Sequence, residues 1–208
     1  MNTNMVLTLC LDHKSFIMKV NKPIVFFAFT VILLSIVSCG SSNVYTAQEK
    51  ASLEKLVTDR NFEIELQWAR PLVTNSLNQL ADAGLFRPGD NASQINLQGN
   101  QNTFKFENDT VSANLPYYGE RQMGGGYNSD GGGIDFETTP KELTLTKDDD
   151  KDYYLMEFNV RDKDSNENYD VSLTLYPSLN AIIDIWSSQR NTIQYNGTLK
   201  AITEPKEE

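Results

Sequence analysis

Across residues 62–199, apolar and polar side chains alternate again and again with a period of two, and few folds accept that pattern. Phe62, Ile64, Leu66 and Trp68 alternate with Glu63, Glu65 and Gln67, which marks a strand with one buried and one wet face, ended by Pro71. The alternation returns at Ile95 and Leu97, at Phe104 and Phe106, at Val111, Ala113 and Leu115, and at Ile134 and Phe136. It continues through Leu143 and Leu145, then over residues 154–160, 169–175, 181–185 and 193–199. Turn signals separate these runs, among them Asn108-Asp109, the 162–168 loop and Asn196-Gly197. Eight to ten short strands are expected, each antiparallel to its chain neighbour. A meander with one apolar face must bury that face by closing on itself or folding in two. The expectation is therefore a mainly β chain closing into a small up-and-down barrel, with a β-sandwich as the alternative.

Helix signals sit mainly ahead of the strands. Thr46 with Glu49 three residues later forms a capping box, and Ala47, Leu53, Leu56 and Val57 supply a partial apolar stripe over residues 46–60. This helix is expected to plug or flank one end of the barrel. Residues 77–81 suit a second, short helix, and Arg87-Pro88-Gly89-Asp90 a turn.

Upstream, Lys19 and Lys22 precede an apolar run of about 14 residues, 24–37, which ends in Ile36-Val37-Ser38-Cys39. The run is short of the roughly 20 residues a spanning helix needs. A lipoprotein signal peptide fits it, with Cys39 as the lipidated new N-terminus and Met18 the better start. The organisation expected is a leader over 1–38, a tether over 39–45, one β-rich domain over 46–202 and a polar tail over 203–208. The first acid after Cys39 is Glu49, so the chain lacks an acidic run directly behind the cysteine. That leans the expected location toward the periplasmic face of the outer membrane.

The leader also decides the available chemistry. It contains His13 and Cys10, so the mature chain keeps no histidine and no thiol besides Cys39. Ser-His-Asp, Cys-His and His/Cys zinc sites are thereby excluded, as are disulfides. Three of the 18 basic and one of the 28 acidic residues lie in the leader, so 15 and 27 remain, a net charge of −12. With no Lys/Arg cluster, nucleic acid is not an expected partner. No cofactor and no metal are expected.

Four landmarks point to a family. They are Leu66-Gln67-Trp68-Ala69-Arg70-Pro71-Leu72, Ser112-Ala113-Asn114-Leu115-Pro116-Tyr117-Tyr118-Gly119, Gly131-Gly132-Gly133-Ile134-Asp135-Phe136 and Arg190-Asn191-Thr192-Ile193-Gln194-Tyr195-Asn196-Gly197. Together with the Cys39 motif they resemble the domain of unknown function 4251 family of Bacteroidetes lipoproteins, over about residues 53–199. The resemblance implies an envelope lipoprotein with a lipocalin-like β architecture. It brings no activity and no catalytic residues.

The most conspicuous candidate site is the loop Met123-Gly124-Gly125-Gly126-Tyr127-Asn128-Ser129-Asp130-Gly131-Gly132-Gly133. It leads into a strand and lacks the Lys-Ser/Thr of a phosphate loop. Tyr117, Tyr118, Arg121, Met123 and Tyr127 around it suit a ligand mouth or a partner contact; the plain alternative is a long hairpin connection. The acidic clusters 148–152 and 162–168 read as solvated hairpin tips. The second begins like a calcium loop but has Glu167 and Leu173 where that loop needs glycine and glutamate. Asp135 and Glu137 should face solvent. Asp109-Thr110-Val111 fits a short O-glycosylation pattern at Thr110, and equally a turn into a strand. Trp68, in phase with Phe62, is expected in the core. Trp186 and Ile182 run out of phase with Ile183 and Ile185; cover by the helix is the favoured reading and an exposed patch the other.

The expected function is a non-enzymatic, membrane-tethered binding module for a small apolar ligand or an envelope protein. The alternatives are an accessory subunit of an envelope complex and a carboxylate-dependent hydrolase. A carrier should have a cavity lined by Phe104, Phe136, Met156 and Phe158.

Overall fold

The computed structural model describes residues 45–99, 102–122, 132–163 and 166–202. The chain divides into two compact units, Met1–Asn43 and Val44–Glu208, and the described residues all belong to the second. Cys39, Met123, Tyr127 and the 203–208 tail lie outside the described residues. Among the described residues, no helix is long and apolar enough to cross a membrane.

The first helix, α1 (Ala47–Asp59), begins where the capping box predicts. The Thr46 backbone N–H donates to Glu49 at 2.7 Å, and the Glu49 N–H donates to Thr46 Oγ1 at 3.2 Å. Arg60 ends the helix in the left-handed region at φ 48°. Thr46→Ala should cost about 1 kcal/mol in chemical denaturation, the usual worth of a cap.

Ten strands follow: β1 (Asn61–Pro71), then, after α2 (Asn75–Asp82), β2 (Ile95–Asn96), β3 (Thr103–Glu107), β4 (Thr110–Leu115), β5 (Ile134–Thr138), β6 (Lys141–Asp148), β7 (Tyr153–Arg161), β8 (Asn168–Leu175), β9 (Asn180–Trp186) and β10 (Ile193–Ala201). They form one antiparallel sheet in the order β5-β4-β3-β1-β10-β9-β8-β7-β6, with β2 alongside β1. The sheet curls into a barrel-like fold whose concave face holds the core. The expected mainly β, curled antiparallel architecture is what the chain adopts.

The two edges of this sheet meet through the chain itself. β5 and β6 run in the same direction with only Thr139-Pro140 between them, so they form one bent strand. Its first half pairs with β4 and its second with β7. Pro140 has no N–H to donate, and the register of β6 shifts between Lys141 and Thr144, where Glu142 sits at φ 52°. The Lys163 N–H donates to Asp135 O at 3.0 Å, and the Phe136 and Tyr169 rings lie 6.2 Å apart, which ties β5 to the β7–β8 side.

The registers give the barrel two distinct ends. The helix end gathers the start of β1 and the β3–β4, β6–β7 and β8–β9 turns. There α1 buries Leu53 and Val57 in the core, and Lys50 pairs with Asp152 of the β6–β7 turn at 2.5 Å. The loop end gathers residues 72–94, residues 116–122 after β4 and 132–133 before β5, and the described parts of the β7–β8 and β9–β10 connections.

Several expectations need correction. Trp68 is not a core anchor: the register with β10 slips between Leu66 and Trp68, so Ala69 and Pro71 turn inward while Trp68 is only half-buried opposite Asn196. Asn196-Gly197 is not a turn but the middle of β10, where a Cβ on Gly197 would stand 2.4 Å from Glu65 O of β1. Trp186 is 41% exposed and Ile182 half-buried, so among the described residues the helix does not cover Trp186, and the patch is Trp186 more than Ile182. Leu145 shares the phase of buried Met156 yet is 44% exposed, because β6 is a terminal strand of the sheet path.

Candidate functional site

The aromatic residues singled out beside the glycine loop do converge at the loop end. After β4 the chain passes through Pro116 to Gln122 and makes a small antiparallel bridge with the approach to β10. Gln122 N–H donates to Gln189 O at 2.8 Å, and Asn191 N–H donates to Glu120 O at 3.1 Å. The Tyr117 hydroxyl donates toward Asn191 O at 2.9 Å and Glu120 O at 3.2 Å. Beneath it, the Tyr195 hydroxyl donates to Pro116 O at 2.9 Å. Tyr117 and Tyr118 both pack partly on the core, and Arg121 is half-buried.

The centre of this end is a pair that the sequence reading did not single out, Arg190 and Glu167. Their side chains are only 3% and 4% exposed. Arg190 Nε donates to Glu167 Oε1 at 2.8 Å and Nη2 to Oε2 at 2.6 Å, the parallel fork that a guanidinium and a carboxylate favour. Arg190 Nη1 donates to Gly133 O at 3.0 Å and Gly132 O at 3.2 Å. The guanidinium also stands 4.8 Å from the centre of the Tyr117 ring and 5.5 Å from that of Tyr169. One side chain thus clasps the β7–β8 connection, the exit of the glycine loop and the segment entering β10.

The electrostatics follow from that geometry. Burial alone pushes the Glu167 carboxyl up, but hydrogen bonds from Arg190 and Ser187 and the Arg190 charge outweigh it and hold it below its ordinary value. Burial raises the Tyr117 hydroxyl, with the Arg190 charge opposing, and raises Tyr169 strongly. The residues are engaged with one another: a forked carboxylate, an occupied guanidinium and two protonated phenols. The 162–168 loop is accordingly not a purely solvated tip, since its Glu167 turns inward to meet Arg190 and Tyr169 donates to Asp162 at 2.9 Å.

The other candidates lie apart. Asp135 accepts from Asn114 at 2.7 Å and Glu137 pairs with Lys163 at 3.7 Å on the outside of β5, so they do not converge on a cleft. In the 148–152 turn, Asp148 accepts the Lys151 N–H at 2.9 Å. Thr110 is exposed at the first position of β4, beside Asp109, which pairs with Arg60 at 3.5 Å at the helix end. Phe104, Phe136, Met156 and Phe158 are all buried, with Phe104 6.4 Å from both Phe136 and Phe158, a normal separation for packed rings.

Arg190 was visible in the sequence as the first residue of the closing landmark, but its partner lies 23 residues upstream inside an acidic run, and nothing in that run distinguishes Glu167 from its neighbours. No curated protein matches the chain. The family model for a domain of unknown function, DUF4251, matches residues 45–199, which run from the start of α1 to all but the last two residues of β10. The chain belongs to the DUF4251 family.

Proposed function

We propose that this chain is a non-enzymatic, envelope-anchored lipoprotein domain that binds a protein partner at its loop end. The observation that carries the choice of a partner over an apolar ligand is the packing of the interior. A lipocalin-type carrier needs an empty concave face, and here Phe104, Phe136, Phe158 and Tyr169 meet ring against ring across it. Exposed apolar side chains supply what a contact surface needs: Leu72, Val73, Leu80 and Leu85 stand out around the loop end. The inward-turned, mutually satisfied charges at Arg190 and Glu167 suit a rigid base beneath such a surface better than a reacting centre. The lipid anchor rests on Lys19, Lys22, the apolar 24–37 run and Ser38-Cys39.

The test places a photo-reactive benzoylphenylalanine at Gln122, on the loop end, or at Lys55, on α1, in the full chain made in its own cells. A discrete protein adduct from Gln122 and none from Lys55 is the expected result. A clean crosslinking map, together with a bound mass of a few hundred daltons in native mass spectrometry, would return the reading to a carrier.

A further inference from the structure

The basic and apolar residues of the loop end form a pattern of their own. Of the six arginines in the sequence, Arg60 is at the helix end; Arg70, Arg87, Arg121, Arg161 and Arg190 all belong to the loop end. This concentration stands out in a chain of net charge −10. Four acids at the same end accept from neighbouring donors, Glu167 buried, Asp90 and Asp162 half-buried and Glu120 exposed. Glu167 takes Arg190, Asp162 takes the Tyr169 hydroxyl, Asp90 takes the Asn96 N–H at 2.7 Å, and Glu120 takes the hydroxyls of Thr74 and Ser76. Arg70, Arg87 and Arg121, by contrast, make no ion pair among the described residues. Each offers forked donors suited to carboxylates.

Apolar residues lie among these arginines. Leu72 follows Arg70 by two positions and is 55% exposed; Leu85 precedes Arg87 by two and is 69% exposed. Leu72 N–H donates to Thr192 O at 3.3 Å, beside Asn191, whose N–H reaches the residue before Arg121. Leu85 N–H donates to Leu80 O at 3.0 Å, which holds the backbone of Leu85 against the end of α2, and both leucines are exposed. The described chain enters at Tyr45 and α1, at the helix end, so this surface lies at the opposite end of the domain.

We propose that the loop end is a docking surface for an acidic, amphipathic segment of a protein partner, its carboxylates meeting Arg70, Arg87 and Arg121 and its apolar side chains meeting Leu72 and Leu85. This rests on the partner reading above and adds the chemistry of the partner. Exposed apolar anchors ringed by arginine give such contacts both their energy and their selectivity.

The experiment pans a random peptide library displayed on phage against the full chain in detergent micelles. Enriched peptides should combine Asp and Glu with Leu, Phe or Trp. Their binding should fall about tenfold or more in Leu85→Asp and in the Arg87→Glu/Arg121→Glu double variant, and weaken as salt rises from about 0.05 to 0.3 M. Arg87→Lys should retain most of it. No enrichment, a basic consensus, or binding indifferent to Leu85→Asp and to the charge reversals overturns the proposal. So does capture by phosphatidylglycerol vesicles through the same arginines with no peptide enriched, which would make the surface a lipid contact. An intact Gln122 crosslink alongside any of these results sinks only the chemistry assigned to the segment; a missing crosslink removes the partner reading as well.

Discussion

Arg190→Ala is expected to destabilise the domain by about 3–5 kcal/mol, the cost of leaving a buried carboxylate without its counter-charge. Glu167→Gln should cost a large part of the same amount, because a buried guanidinium is then left facing a neutral amide. The pair is buried and forked, so solvent screens it little, unlike the exposed pairs Lys163–Glu137 and Arg60–Asp109. The pH dependence has a definite sign. The Glu167 carboxyl is held below its ordinary value of 4.5 in the folded state. Its contribution is therefore present above that value and is lost as pH falls through the lower folded one. The stability gap between the parent chain and Glu167→Gln should stay constant from about pH 8 to 5 and close below about 4.5. A gap that instead closes on the alkaline side would show that Glu167 is not an ionised partner. Combining Arg190→Met with Glu167→Leu should restore part of the loss, since a matched apolar pair avoids the desolvation of either charge. Gly132 and Gly133 would still lose the donor that holds them, so amide exchange at the start of β5 should remain faster than in the parent chain.

Gly197→Ala is the second substitution with a large effect, expected at about 3 kcal/mol in denaturation. The reason is steric. The added methyl would lie 2.4 Å from Glu65 O and 2.9 Å from Ile64 Cγ2. The first is backbone of the neighbouring strand, which cannot swing aside as a flexible side chain can. Relief requires β1 and β10 to separate, and their ladder joins the N-terminal and C-terminal halves of the sheet. Gly133→Ala, facing Leu115 O at 2.8 Å at the edge of the β4–β5 ladder, should cost less because β5 is an end of the sheet path and can shift. Equal losses at the two positions would contradict that account.

The two substitutions probe different layers of one design. β1 and β10 form the spine from which the sheet curls in both directions, and the bent β5–β6 strand brings the far edges together. The Arg190–Glu167 pair then fastens three loops over the end where the chain crosses between those halves. A domain without disulfides has to hold its loops by such means. Among the described residues, Arg70, Arg87 and Arg121 at that end form no ion pair, which is why the partner reading points there.

The strands, the first helix and its cap were legible in the sequence because period and capping are local properties: each residue's partners lie within a few positions. Tyr117, Tyr118 and Arg121 could be picked out for the same reason, as aromatic and basic residues beside a glycine run. The errors arose where local rules meet non-local ones. Asn196-Gly197 is a good turn by propensity, yet the close approach of Glu65, 132 residues earlier, makes it strand. Trp68 keeps the alternation of its neighbours in sequence, yet a slip against β10 turns it half outward. Glu167 is one acid among many until the barrel brings Arg190 to it. Alternation determined that this chain would build a curled antiparallel sheet. Tertiary structure alone decided which charge was buried and which end holds arginines without an ion pair among the described residues, because burial and pairing depend on segments that meet only after the sheet has curled.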